Sequence, residues 1–162
     1  MIDLQNNGIQ FPAPRSFVCA GNPNPKEGKF AMEMNKLQEL KLQAAKARLL
    51  GVEMVYAAAS GHPGGSLSCM DVLTYLYNAE MRVDPADPKN PDRDRFVMSK
   101  GHCSPAVYPV LALRGFFPVE ELKMFRSIDG HMSGHVEMKY NPGVDMSTGS
   151  LGQGISCAVG MA

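Results

Sequence analysis

At 162 residues, 44% of them hydrophobic, the chain is long enough for one domain with a real core. Its 16 Lys and Arg residues balance 16 Asp and Glu, so the electrostatic footprint of a nucleic-acid binder is missing. No apolar run approaches a bilayer span and no basic-then-hydrophobic leader opens the chain, so a cytoplasmic protein with no membrane partner is expected.

Residues 1–31 have neither helical nor strand period, and Pro12, Pro14, Gly21, Pro23, Pro25 and Gly28 punctuate them. This composition predicts an irregular N-terminal arm, either a loose tail or a segment that leans on a partner. From Met32 to about Ala59, apolar residues at Leu37, Leu40, Ala44, Ala47, Val55 and Ala58 recur at helical spacing and predict a long helix. The Gly61–Gly65 turn ends it. Ser68, with Asp71 in capping-box position, then opens a predicted second helix running to about Met81.

The segment 82–94 carries Pro85, Pro88 and Pro91 among alternating charges and reads as an exposed loop. Arg95-Phe-Val-Met-Ser99 is short and apolar enough for a buried parallel strand. Pro105 then stands at the first position of a helix that Gly115 closes, and Pro118 with Glu120 and Glu121 starts a short fourth one. Residues 126–148 form a long Gly-rich stretch without period, of a length that is usually functional in compact domains. After the Gly149–Gly154 turn a helix of small residues begins at Ile155.

The predicted fold class is therefore α/β, helix-rich, with an incomplete parallel sheet. A single parallel strand needs neighbours on its edges, supplied by strands hidden in the arm and loops or, the favoured reading, by residues outside this chain.

All four histidines follow a glycine: His62, His102, His131 and His135. Glycine lets the backbone turn sharply or approach a ligand closely, and imidazole can donate, accept or carry a proton near neutral pH. Ser60-Gly-His-Pro-Gly-Gly65 would project His62 from a rigid turn, as a ligand contact or as a surface residue. His102 follows the predicted strand and precedes a helix, where ligands bind in open α/β sheets, although a satisfied buried histidine fits the same position. The HxxxH spacing of His131 and His135 would suit zinc only on a helix, which Gly130 and Gly134 disfavour. Cys19, Cys69, Cys103 and Cys157 show no CxxC spacing, against a zinc knuckle or a disulfide framework. The turn Met146-Ser-Thr-Gly-Ser-Leu-Gly-Gln-Gly154 can bring backbone amides close to a cofactor, but it is neither a P-loop nor a GxGxxG fingerprint.

In this order, Ser60–Gly65, Asp92–His102 and Thr148–Ala162 resemble the thiamine-diphosphate-binding segment of transketolases, above all the N-terminal subunit of the two-chain form. The resemblance covers roughly 34–162 and implies part of the diphosphate-domain fold over 32–162. It implies transfer of a two-carbon ketol unit from a ketose phosphate to an aldose phosphate, with thiamine diphosphate and Mg2+ as cofactors. By the same resemblance His62 meets the sugar near its reacting carbon, His102 touches the diphosphate, and His135 contacts the donor sugar and can transfer protons. Gly149, Ser150 and Leu151 pack along the cofactor, and His131 matches no site position. Val136 stands where the family usually has Pro after the third histidine.

The resemblance further implies a partner, the C-terminal transketolase subunit, with sugar phosphates as substrates and a homo-oligomer. The family's metal ligands, an Asp in a Gly-Asp-Gly turn and a later Asn, have no counterpart here, and no Gly-Asp-Gly occurs. The expectation is accordingly a transketolase segment that is inactive alone, with no metal site of its own. The alternative is a non-catalytic remnant or dimer-interaction module of the same fold.

Overall fold

Every residue from Ser104 to Ala112 is buried, so the helix they form is enclosed on all sides rather than along one stripe. A computed structural model describes residues 25–162 of the chain, with side chains from Glu33 onward. Its helices are α1 (Pro25–Ala57), α2 (Pro63–Leu67), α3 (Met70–Tyr75), α4 (Ser104–Arg114) and α5 (Gly154–Met161). Two 3-10 turns, Gly101–Cys103 and Val119–Met124, flank α4, and α3 runs into a widened π turn at Leu76–Glu80.

The enclosed helix is α4. Pro105 sits in its first turn, where no intrahelical N–H is needed. Gly115, at φ +99°, ends it in a left-handed turn, with its N–H donating to the Leu111 and Ala112 carbonyls at 3.1 and 3.0 Å. These ends match the sequence expectation. Helix α1 buries Ala44, Ala47, Gly51 and Met54 and packs on α4, and Gly51, where a Cβ would stand 2.5 Å from the Pro105 carbonyl oxygen, lets the two backbones come together. Leu37, expected on that face, is instead 44% exposed. Around α4 close Met70 and Leu73 of α3, then Tyr77, Phe116, Leu122, Phe125, Met132 and Val136. Complete burial of one such side chain, Leu111, is worth about 1.5–3 kcal/mol.

Several expected elements differ. Helix α1 begins at Pro25, upstream of Met32, and the rest of the expected arm, 1–24, lies outside the described residues. Ser68 does not cap a helix: its hydroxyl donates to the Gly65 carbonyl, and Cys69 precedes α3 with no side-chain cap.

The α/β fold class is overturned, because among the described residues there is no strand and hence no incomplete sheet. Residues 95–99 belong to no helix or strand, and several of their polar groups are satisfied one by one instead of by a ladder. The Phe96 N–H donates to the Asp145 carboxylate at 2.7 Å, and the Met98 carbonyl accepts from the Thr148 hydroxyl at 2.6 Å. The Ser99 carbonyl accepts from the Gly152 N–H at 3.0 Å. A strand needs repeated backbone pairing with a neighbour, and here side chains and one loop amide replace it.

Among the described residues no helix is long and apolar enough to cross a membrane.

Candidate active site

Gly101 lies against Thr148 so tightly that a Cβ there would stand 2.3 Å from the Thr148 carbonyl oxygen. This contact closes a seam. The Val136 N–H donates to the Gly101 carbonyl at 3.0 Å, and the Thr148 N–H to the Val136 carbonyl at 3.1 Å. The segments that carry His102, His135 and Gly149 are thereby stitched together.

The first histidine joins them through α2. Pro63 opens that short helix directly after His62, so the Gly-His-Pro-Gly segment is a helix start rather than a simple turn. Lys100 Nζ donates to the Gly65 carbonyl at 2.6 Å and fastens α2 beside the Gly101–Cys103 turn. A Cβ on Gly65 would meet Cys103 Sγ at 2.8 Å, so only glycine fits this approach. As a result the His62 and His102 rings stand edge to face, with centroids 5.0 Å apart and planes at 66°.

The turn before His135 is anchored on α4. The Tyr108 hydroxyl donates to the His135 carbonyl and the Ser104 hydroxyl to the Gly134 carbonyl, each at 2.9 Å. A Cβ on Gly149 would lie 3.7 Å from His135 Cδ2, so the Gly-rich turn borders this ring. Beyond it Ser150 and Leu151 are exposed, Leu151 to 71%. His131 points elsewhere, with Nε2 2.9 Å from a Glu121 carboxylate oxygen.

The cluster is electropositive in character. Burial holds the His102 pKa below its ordinary 6.5, and the neighbouring His62, His135 and Lys100 lower it further. Every group named there is a nitrogen base or cation, which suits an anionic ligand. Burial also pushes the Cys103 thiol up, so it stays protonated as a small packing residue. Among the described residues, no group of three His, Cys, Asp or Glu side chains is placed to hold a metal ion.

The sequence reading missed two residues that build this site. Asp145 is the first: its side chain, 1% exposed, pairs with Arg93 and lies 3.6 Å from Arg95. It also receives the Phe96 N–H and so fixes the segment that leads to Lys100. Arg126 is the other, joined to Ser60 of the first histidine motif at 2.5 Å across the chain. An Asp among Gly and Pro in an aperiodic stretch, and an Arg after a short helix, carry no local signal of such roles.

Three loop-borne imidazoles and a lysine thus lie together around Gly-rich turns, an arrangement whose chemistry suits an anionic small molecule or cofactor. Residues 40–162 match the family described as "Transketolase, thiamine diphosphate binding domain", and the chain belongs to the transketolase family. It is 48% identical over 124 residues to the 6-deoxy-6-sulfo-D-fructose transketolase subunit SqwG of Clostridium sp., covering 76% of this chain and 45% of that protein. It is 47% identical over 127 residues to one of the subunits of the apulose-4-phosphate transketolase of Phocaeicola vulgatus, covering 78% and 45%. Among solved structures, transketolase from Leishmania mexicana superposes with a TM-score of 0.72 at 38% identity, covering 75% of this chain and 18% of that one. The chain thus spans less than half the length of the curated relatives it matches.

Proposed function

We propose that this chain carries the diphosphate-binding part of a thiamine-diphosphate-dependent transketolase site, serving ketol transfer from a ketose phosphate to an aldose phosphate. The observation that carries this reading is the convergence of His62, His102, His135 and Lys100 beside the Gly149 turn. The set fits the cofactor: nitrogen donors face an open, glycine-lined approach, and an exposed Leu151 is available for apolar contact. Bound there, thiamine diphosphate would supply the nucleophilic carbon and the electron sink for carbon–carbon cleavage.

The roles of the chain's own residues follow from their places. His102, kept neutral near pH 7, donates an N–H to a diphosphate oxygen. Gly149 and Ser150 offer backbone amides and Leu151 an apolar edge along the cofactor. His62, exposed beside His102, orients a sugar hydroxyl. His135, held by its backbone but with an exposed ring, moves a proton to or from the donor sugar. The described residues do not fit magnesium, since no cluster of ligands is present among them.

The names of two relatives describe subunits, and in the same way this chain would work with a C-terminal transketolase subunit, in an oligomer in the cytoplasm. Calorimetry of thiamine diphosphate against the chain, with and without magnesium, tests the reading alongside a ketol-transfer assay. Expected are weak, magnesium-independent binding and no turnover alone, with turnover only when a C-terminal subunit and the missing Gly-Asp-Gly and Asn metal ligands are both supplied. Binding that tightens strongly with magnesium would contradict the ligand set. Absence of binding in both the single chain and the mixture would favour the non-catalytic remnant.

A further inference from the structure

We infer that Arg126 is a positioning residue, a single guanidinium that holds the His62 turn and the His135 turn at a fixed separation. The inference rests on the reading of these histidines given above, and it concerns a residue outside their motifs. Arg126 has φ +58°, a left-handed conformation that a non-glycine residue adopts at a cost, and its N–H donates to the Met132 carbonyl at 2.8 Å.

From this bend the side chain reaches two places. Nη1 donates to the Ser60 hydroxyl at 2.5 Å, two residues before His62. The face of the guanidinium covers Gly134, immediately before His135, where a Cβ would stand 2.5 Å from Nε and 2.7 Å from Nη2. Phe125 extends the contact. Its ring lies under the guanidinium at 5.6 Å, and its Cε1 would be 3.5 Å from a Cβ on Gly61. Next to Ser60, Ala59 is also left-handed, at φ +47°. Left-handed bends that L residues disfavour thus occur near both ends of the Ser60–Arg126 contact.

A purely stabilising role fits these facts poorly. Arg126 is exposed and, among the described residues, forms no ion pair. What it joins are the two loops that present imidazoles. The planar fork matters more than the charge, because one edge must grip a hydroxyl while the face lies flat on a glycine. Lysine cannot do both.

Native-state hydrogen exchange on the whole chain tests this. The Ser60 N–H is bonded to the Val55 carbonyl at 3.2 Å and the Val136 N–H to the Gly101 carbonyl at 3.0 Å, so both amides report their turns. In Arg126→Lys both are expected to exchange about tenfold faster, the loss of one charge-assisted hydrogen bond, while α4 amides change less than twofold. A change in one turn alone, in neither, or equally in α4 would overturn the proposal.

If Arg126→Lys fails to fold, Ser60→Ala removes the acceptor and leaves the arginine in place. Faster exchange at Val136, on the far side of the clamp, is then expected, and an unmoved Val136 would overturn it. No cofactor enters the measurement. A chain whose turns respond together but which binds no thiamine diphosphate would keep the clamp and refute the functional reading.

Discussion

The His62 and His102 rings stand edge to face at 5.0 Å, although they belong to separate loops. At that distance two imidazolium charges would oppose each other, which adds to the burial that already lowers the His102 pKa.

A pH dependence follows. His102 has a folded-state pKa below its ordinary 6.5, so the unfolded chain takes up its proton first. The contribution to stability is full above 6.5 and declines as pH falls from 6.5 toward the folded value. His62→Asn should raise the His102 pKa and flatten this decline. NMR titration of the four histidine rings, paired with urea unfolding between pH 5 and pH 7.5 (about the range over which imidazole titrates), measures both.

Diphosphate binding should be coupled to protons in the opposite sense. An anion beside His102 offsets the lowering influence of His62, His135 and Lys100, so binding near pH 6 draws a proton from solvent. Calorimetry with thiamine diphosphate in buffers of different ionisation enthalpy should show net uptake in the wild type. That uptake should be lost in His102→Gln.

Gly101→Ala should damage the site more than the fold. The added methyl would lie 2.3 Å from the Thr148 carbonyl oxygen and force the seam apart, whereas the α1–α4 core is untouched. A stability loss of about 1–3 kcal/mol is expected from overpacking, together with loss of thiamine diphosphate binding. Gly51→Ala makes the complementary case: its methyl would stand 2.5 Å from the Pro105 carbonyl oxygen in the core, at a comparable cost in urea unfolding.

Asp145→Asn should be among the most costly polar substitutions. It leaves Arg93, whose side chain is 9% exposed, without its carboxylate, and breaking such a buried pair costs about 3–5 kcal/mol. Arg95 is 43% exposed, and Arg95→Ala should cost no more than about 1 kcal/mol. Chemical denaturation of the two variants tests the contrast.

The helices were legible where pattern and punctuation agree. Pro105 and Gly115 bracket α4 within a residue, because one lacks a donor the helix does not need and the other accepts a left-handed bend. Arg95–Ser99 misled for a physical reason. A short apolar run bounded by polar residues looks the same whether its backbone groups meet a ladder or, as here, the side chains of Asp145 and Thr148. The order of motifs identified the family, and spacing drew attention to His62, His102 and His135. The parts that hold these rings in place, Asp145 and Arg126, act across long sequence separations and leave no local pattern.

The seam also sets an order of assembly during synthesis. Met98, Gly101 and Val136 all find their partners on Thr148, so the site cannot close until that residue has emerged from the ribosome. Helices α1 to α4 can begin to pack on one another earlier, since their mutual contacts need nothing beyond Arg114, while Phe116, Leu122, Phe125, Met132 and Val136 close the core around α4 as they follow. The binding face is therefore finished after the scaffold, by a non-local closure that is slow relative to helix packing. In a nascent chain, resistance to proteolysis at α4 should precede protection of the His102 turn.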